Sequence, residues 1–261
     1  MPPFTRTPTL PIAAAEPPGV SLAIGAELRA GRTIVEVLAG TEPWRPRILA
    51  PDRAIARVAL VQSRASLLSG DDVRVRIEVG PEAALELVEL GATIANHVRG
   101  GAGALVDVRV FLAAGARLVW LAEPLIASAG CALEQTTSIA LETGARALVG
   151  EAVVLGRHGE QPGGVRSRTR ITLEGRPVVD ETFATDPAWL LRSTVVAGES
   201  RMIEALTLAG MRDGDPSTGA YQAHEPATLW RSLGPAHAGA PGASELAERW
   251  RALALYSSDG C

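Results

Sequence analysis

The stretch VRVRIEVG, residues 73–80, alternates apolar and charged residues and ends at a glycine. A period of two is typical of a β-strand with one buried and one solvated face. The pattern returns three times, in residues 106–110 before Gly115, 137–141 before Gly144 and 168–173 before Gly175. The glycines at 80, 115, 144 and 175 are 35, 29 and 31 residues apart. Such a period predicts a stack of similar supersecondary units.

The segments that follow these glycines have a different pattern. Residues 85–90, 118–121 and 147–155 are largely apolar at both odd and even positions, as expected of strands covered on both faces. Each unit therefore offers an outer strand, a tight turn and an inner strand. We expect a mostly all-β protein: stacked antiparallel β-hairpins forming a β-helix-like two-layer body, with one or two C-terminal helices.

Three regions follow from composition. Residues 1–20 are predicted to be a flexible, Pro-rich lead, 21–210 the β-stack body, and 211–261 a loop and a C-terminal helix packed on the body. Within the body the first strands are expected at 21–27, 33–38 and 56–62, with a glycine-containing hairpin turn at 29–32. Ser244 is a plausible helix N-cap, and Leu246, Trp250 and Leu253 share one helix face. This helix could cap the sheet or dock a partner.

Bulk composition excludes several classes of protein. The chain has 261 residues, 47% of them hydrophobic, and a net charge of −4, and all 25 basic residues are arginine. No basic run suits nucleic acid, and no apolar run of about 18 residues suits a membrane span. The two cysteines, Cys131 and Cys261, give neither a disulfide framework nor a CxxC metal motif. The start does not resemble a signal peptide, so a cytoplasmic location is the simplest expectation.

Motifs for catalysis are missing from the sequence. The histidines at 97, 158, 224 and 237 lack metal-ligand spacing, and there is no GxSxG, Walker or GxGxxG motif. The run RGGAG at 99–103 is not followed by a helix start and is a weak phosphate cradle. The residues alone therefore point to no particular reaction and to no tightly bound cofactor.

Acidic residues recur at similar levels of successive units. Glu89, Glu123, Glu151 and the pair Asp180-Glu181 lie five to nine residues after a repeat glycine. Glu123 and Glu151 are embedded in apolar runs, where a carboxylate is costly unless it is paired or binds a metal. One interpretation is a turn rim paired with Arg99, Arg117 or Arg157. The other is a file of oxygen ligands, or a wet acidic channel, that a divalent cation such as nickel could follow.

Four motifs in order resemble one known family, that of the urease accessory protein UreD, called UreH in some organisms. They are LLSGD at 67–71, GAT at 91–93, LVWLAEPLI at 118–126, and LGR at 155–157 with GE at 159–160. The similarity covers residues 31–183, with weaker agreement to the end. Departures at 66–69, 93–97 and 126–131, where many relatives carry glycine, Lys-Tyr or aromatic residues, are typical of a divergent branch.

The resemblance implies a β-helical, non-enzymatic scaffold that acts in the cytoplasm in nickel insertion into urease. Its expected partners are apo-urease and UreF, through which the GTPase UreG joins. By position in the family motifs, Asp71, Glu123 and Glu151 are expected to line a transient nickel path. Asp71 matches the Gly-Asp motif, Glu123 lies in the Trp-Leu segment, and Glu151 stands where relatives often carry an acid before Leu-Gly-Arg.

Two other functions remain open from the residues alone. Carbohydrate-active enzymes on β-helical scaffolds use paired carboxylates, and the acids after the glycines could be such a pair. Alternatively, the chain could be a structural β module that assembles with its own copies through a strand edge.

Overall fold

The computed structural model describes residues 19–98, 100–186, 191–193, 196–215, 219–235 and 243–256. The predicted lead at 1–20 falls outside this range except for its last two residues. Arg99, His237 and Cys261 also lie outside the described residues.

The described chain forms eighteen strands and one C-terminal helix. The strands are β1 Leu22–Arg29, β2 Arg32–Gly40, β3 Trp44–Ile48, β4 Ala56–Gln62, β5 Ser66–Leu67, β6 Asp72–Val79, β7 Ala84–Glu89, β8 Thr93–Ala95, β9 Ala104–Leu112, β10 Arg117–Leu121, β11 Leu125–Ala127, β12 Ala132–Leu141, β13 Arg146–Val154, β14 Gly164–Leu173, β15 Arg176–Ala184, β16 Met202–Ala209, β17 Tyr221–Gln222 and β18 Ala227–Gly234. The helix α1 spans Ala243–Tyr256. Among the described residues, no helix has the length and apolar character that crossing a membrane requires.

Two sheets face each other across one core. The first sheet has the order β15-β14-β12-β9-β6-β1-β2, and the second runs β17-β18-β16-β13-β10-β7-β4-β3, with β5, β8 and β11 beside it. Successive coils each give one strand to each sheet, so the molecule is a β-solenoid. The all-β, two-layer, β-helix-like body predicted from the sequence is confirmed.

The predicted antiparallel hairpins are corrected by the strand pairing. The four repeat strands β6, β9, β12 and β14 are parallel neighbours, and Val75, Val108, Thr137 and Thr169 stand in one row. The two strands of a unit do not pair, because the chain crosses to the opposite sheet at each turn. Both strands direct their apolar side chains into the shared core, which places them face to face. Antiparallel pairing is found at the ends of the stack, for example between β1 and β2 and between β14 and β15.

The crossing turns require one residue with positive φ. Gly115 and Gly144 have φ of 68° and 71°, and Glu82 takes the same place in the preceding turn with φ of 57°. The amides of Glu82 and Gly115 donate to Ala114 O and Thr143 O of the next turn, both at 3.0 Å. Gly80 therefore stands two residues before the position that Gly115 occupies. Gly175 belongs to the hairpin that joins β14 to β15.

The first strands agree closely with the sequence analysis. β4 begins and ends at the predicted residues. β1 begins one residue later and ends two residues later than predicted, and β2 extends beyond the prediction by one residue at its start and two at its end. Ala30 and Gly31 at the tip of the β1–β2 hairpin have φ of 48° and 77°, as a two-residue hairpin turn needs. A difference appears later: residues 227–234, taken for part of a loop, form β18.

Helix α1 covers part of the outer face of the second sheet. Trp250 is fully buried against a cluster that includes Val119, Leu148 and Leu208. Arg251 donates to the buried Glu86 at 2.5 and 2.9 Å and fixes the helix to β7. This cover explains why the inner strands are apolar on both faces. The helix begins at Ala243, so Ser244 lies within its first turn.

Candidate functional site

A cavity of about 190 Å³ lies between the two sheets. Its lining runs along the stack, from Trp44 and Leu67 in the first coils to Glu181 and Arg231 in the last strands. A water molecule occupies roughly 30 Å³ in the liquid, so the cavity has room for several. The cavity is open to solvent along part of its lining, because Glu123 and Glu181 are both exposed.

Four acidic side chains line this cavity, namely Glu89, Glu123, Glu151 and Glu181. Three come from consecutive coils of the second sheet: Glu89 ends β7, Glu123 is the second residue after β10, and Glu151 lies in the middle of β13. Glu181 lies in β15, at the edge of the first sheet. Leu121 pairs with Val88 on one side and with Gly150 on the other, which sets Ala122 level with Glu89 and Glu151. The expectation of similar levels is therefore confirmed for Glu89 and Glu151, whereas Glu123 lies one residue further along the chain and Glu181 lies on the opposite sheet.

Two other acidic residues singled out in the sequence, Asp71 and Asp180, do not line the cavity. The Asp71 carboxylate accepts hydrogen bonds from Arg64 Nη2 and from the amide of Leu68, both at 2.8 Å, in a turn outside the cavity. Asp180 faces outward and pairs with Arg168. Of the three residues expected along a nickel path, the structure brings Glu123 and Glu151 to one cavity and leaves Asp71 apart.

Glu89 is held by two donors from the next coil. Trp120 Nε1 donates to its Oε1 at 2.9 Å, and the amide of Glu123 donates to its Oε2 at 3.2 Å. Burial raises the pKa of Glu89 to about 7, although both hydrogen bonds favour the charged form. Near neutral pH this carboxyl group can therefore accept or release a proton.

Glu151 is the most enclosed of the four acids. Thr169 Oγ1 lies 3.0 Å from both of its carboxylate oxygens and donates its single proton to them. Burial raises the pKa of Glu151, the nearby positive charge of Arg231 opposes that rise, and the charge of Glu181 adds to it. The surface that Glu151 keeps faces the cavity.

The last acid, Glu181, forms an ion pair with Arg231 across the gap between the sheets. Arg231 also donates from Nη1 to Trp230 O at 2.9 Å and to Leu206 O at 3.2 Å. The sequence analysis offered Arg99, Arg117 or Arg157 as partners for the acids. Arg117 instead donates to Leu255 O, Arg157 pairs with Glu160, and Arg99 lies outside the described residues.

Sequence reasoning missed two residues of this site. Arg231 falls in a segment that was taken for a loop, and it shares one face of β18 with Leu229 and Leu233, a pattern that does not point to Glu181. Trp44 is only 9% exposed, and its buried Nε1 has no acceptor among the described residues. A buried donor of this kind needs an oxygen partner, so it favours water within the cavity.

The arrangement is an open file of carboxylates rather than a closed coordination site. Within the described ranges, no three His, Cys, Asp or Glu side chains are grouped closely enough to hold a metal ion. The described histidines, at 97, 158 and 224, do not line the cavity. Each acid can offer oxygen ligands singly, which suits weak and successive contacts with a cation.

Fold and cavity together define a class: a two-sheet β-solenoid with an acid-lined cavity between its sheets. The family model for the UreD urease accessory protein matches residues 19–255. The chain belongs to the UreD urease accessory protein family.

Named relatives agree with this assignment. Urease accessory protein UreD 1 of Streptomyces griseus is 38% identical over 187 residues, which cover 71% of this chain and 72% of that protein. UreD 3 of the same organism is 36% identical over 211 residues, covering 78% and 81%. UreD of Streptomyces coelicolor is 39% identical over 157 residues, covering 60% of this chain and 62% of that protein. The matched part therefore spans less than two thirds of the S. coelicolor relative.

Proposed function

We propose that this chain is a scaffold for nickel insertion into apo-urease and that its acid-lined cavity is a transit path for Ni²⁺. It binds UreF, and through UreF the GTPase UreG, and it binds apo-urease, all in the cytoplasm. The observation that carries the proposal is the file of Glu89, Glu123, Glu151 and Glu181 along one cavity. Family membership gives the urease maturation role, and the cavity supports the path.

The carboxylates along the cavity suit a nickel ion in transit rather than a permanently bound cofactor. Carboxylate oxygens are acceptable but weak ligands for nickel, which prefers nitrogen and sulfur donors. Single carboxylates at successive levels let the ion pass from one to the next without a deep energy minimum. A buried charge between two sheets is costly unless it has a partner, and a passing cation supplies one.

The energy for insertion has to come from a partner. The chain contains no lysine, so it has no Walker lysine with which to cradle the phosphates of a nucleotide. GTP hydrolysis is therefore assigned to UreG. Asp71 is not part of the proposed cavity path, because Arg64 and the Leu68 amide already occupy its carboxylate.

The proposal is tested by coexpressing urease subunits and the remaining accessory proteins with and without this chain. We expect the nickel content per urease active site, measured by elemental analysis, to collapse without the chain and to return with it. Equal nickel content in both cultures would contradict the proposal. Mixing the purified chain with UreF should give a heteromeric complex on size-exclusion chromatography.

The carbohydrate-active alternative has less support. Glu89 and Glu151 face the core between the sheets, where a sugar chain would have to enter the solenoid to meet them. A glycosidase would need its two carboxyl groups on either side of an accessible glycosidic bond. A hydrolase screen on the purified chain that finds turnover would restore this alternative.

A further inference from the structure

Arg231 is the one positively charged side chain among the described residues that line the cavity. It lies on β18, and its partner Glu181 lies on β15, the strand at the edge of the first sheet. The ion pair therefore bridges the two sheets at the C-terminal end of the acidic file. It also stands next to Glu151, with which both of its members interact electrostatically.

The two terminal nitrogens of the Arg231 guanidinium have different partners. Nη1 donates to the carbonyls of Trp230 and Leu206 on its own sheet, while Nη2 reaches across to Glu181. Loss of the contact with Glu181 would leave the two carbonyl contacts in place. The group can therefore swing away from the acid without leaving the end of the cavity.

We propose that Arg231 is a tethered cation that competes with a divalent metal ion for the last acids of the cavity, so that the ion binds Glu151 and Glu181 by displacing the guanidinium from Glu181. This inference rests on the proposed function, in which the acids receive a metal ion. Arg231 then sets how tightly Glu151 and Glu181 hold the ion.

The ion pair between Arg231 and Glu181 is weak enough for a metal ion to displace it. The side chains of Arg231 and Glu181 are 29% and 50% exposed, so water screens their attraction. Ion pairs with such exposure contribute little to stability. A divalent ion carries twice the charge of a guanidinium and therefore attracts a carboxylate more strongly. Because arginine stays protonated in proteins, the guanidinium leaves Glu181 through competition with the metal ion and not through a change of pH.

The chain offers a matched control at the same end of the stack. Arg176 on β15 pairs with Glu225, just before β18, at 3.3 Å and also bridges the two sheets. Neither residue lines the cavity. Loss of this second bridge loosens the same end of the solenoid but removes no charge from the passage.

The test is calorimetric titration of the purified full-length chain with NiCl2 at fixed ionic strength. We expect Arg231→Gln, which keeps a donor for the carbonyls, to lower the Kd for Ni²⁺ about tenfold relative to the unaltered chain. Arg231→Lys, which keeps the charge, and Arg176→Gln should stay within about twofold of it, the usual scatter of such comparisons. An unchanged or weaker affinity in folded Arg231→Gln overturns the proposal.

A second measurement does not depend on the folding of any variant. In the unaltered chain labelled with ¹⁵N, the side-chain signal of Arg231 is followed while Zn²⁺ is added as a diamagnetic probe. Displacement predicts a shift of that signal and loss of its protection from exchange at saturation. A signal that stays fixed while the metal binds contradicts the proposed displacement of Arg231.

The outcomes separate this inference from the proposed function. If the unaltered chain binds Ni²⁺ and Glu123→Ala with Glu151→Ala abolishes that binding, the acidic path stands whatever Arg231→Gln does. If the double variant binds Ni²⁺ with the affinity of the unaltered chain, the proposed acidic path is wrong, and the proposed role of Arg231 is wrong with it.

Discussion

Trp120 donates a hydrogen bond from its indole nitrogen to the carboxylate of Glu89 at 2.9 Å, across neighbouring coils of the solenoid. Both side chains point inward from parallel strands of the second sheet, and both line the cavity. The bond fixes the acid in one orientation and opposes the effect of burial on its pKa. One coil of the stack thus positions the acid of another.

The pH titration of Glu89 follows from this contact. Its pKa in the folded chain, about 7, lies above the ordinary 4.5, so the native state holds this proton more tightly than the unfolded chain does. The stability that protonated Glu89 contributes is present in full below about pH 4.5 and is lost as the pH rises through about 7. Carboxyl ¹³C NMR should show a midpoint near 7.

A matched variant checks the cause of that midpoint. Trp120→Phe removes the indole donor that favours the charged form, so the Glu89 midpoint should move upward. A midpoint near the ordinary glutamate value in the unaltered chain, or a downward move in the variant, would show that burial does not control this group.

Backbone conformation at the crossing turns predicts a glycine effect on stability. Gly144 has φ of 71°, and a side chain added there would meet only ordinary contacts at 3.8 Å. Its replacement therefore acts through the backbone alone. We expect Gly144→Val to lower the free energy of unfolding by about 1–3 kcal/mol in a urea titration.

Asparagine is the control, because it tolerates the left-handed region better than valine does. Gly144→Asn should recover most of the lost stability. Equal losses in both variants would mean that the turn needs the absence of a side chain rather than the positive φ.

The contact of α1 with the second sheet gives a third prediction. Trp250 is fully buried and donates from Nε1 to Asp213 Oδ2 at 2.7 Å. Trp250→Ala should cost about 3–5 kcal/mol of stability, since it opens a large cavity under the helix. Glu248→Ala, on the exposed side of the same helix, should change stability by less than about 0.5 kcal/mol. Similar melting of the two variants would show that the helix does not stabilise the sheet.

Much of the fold could be predicted because each repeat strand carries its own signal. Alternation in residues 73–80 identifies the inward face of a strand, and apolar runs identify strands covered on both sides. Neither pattern states which strand is the neighbour, so the parallel pairing of Val75 with Val108 was out of reach. The turns were misaligned for a similar reason: Glu82 adopts the positive φ for which glycine was the expected marker.

The site was predicted in part. Spacing from the turns placed Glu89 and Glu151 at one level, because parallel stacking repeats each level of the coil, and it placed Glu123 within one residue of that level. Asp71 was chosen through a family motif, but its carboxylate accepts hydrogen bonds from Arg64 and from a backbone amide of its own turn. Arg231 could not be found from its own segment, because its meaning depends on Glu181, fifty residues earlier in the chain.

The central claim is that the acids along the cavity carry nickel toward urease. The most direct measurement is the nickel content of urease coexpressed with the Glu123→Ala and Glu151→Ala double variant. Its control carries Glu78→Ala and Glu134→Ala, two acids on the outer face of the first sheet. We predict normal folding and UreF binding in both, at least a tenfold loss of nickel in the cavity variant, about 1.4 kcal/mol in equilibrium terms, and no loss in the control. Full nickel loading by a folded cavity variant would contradict the account.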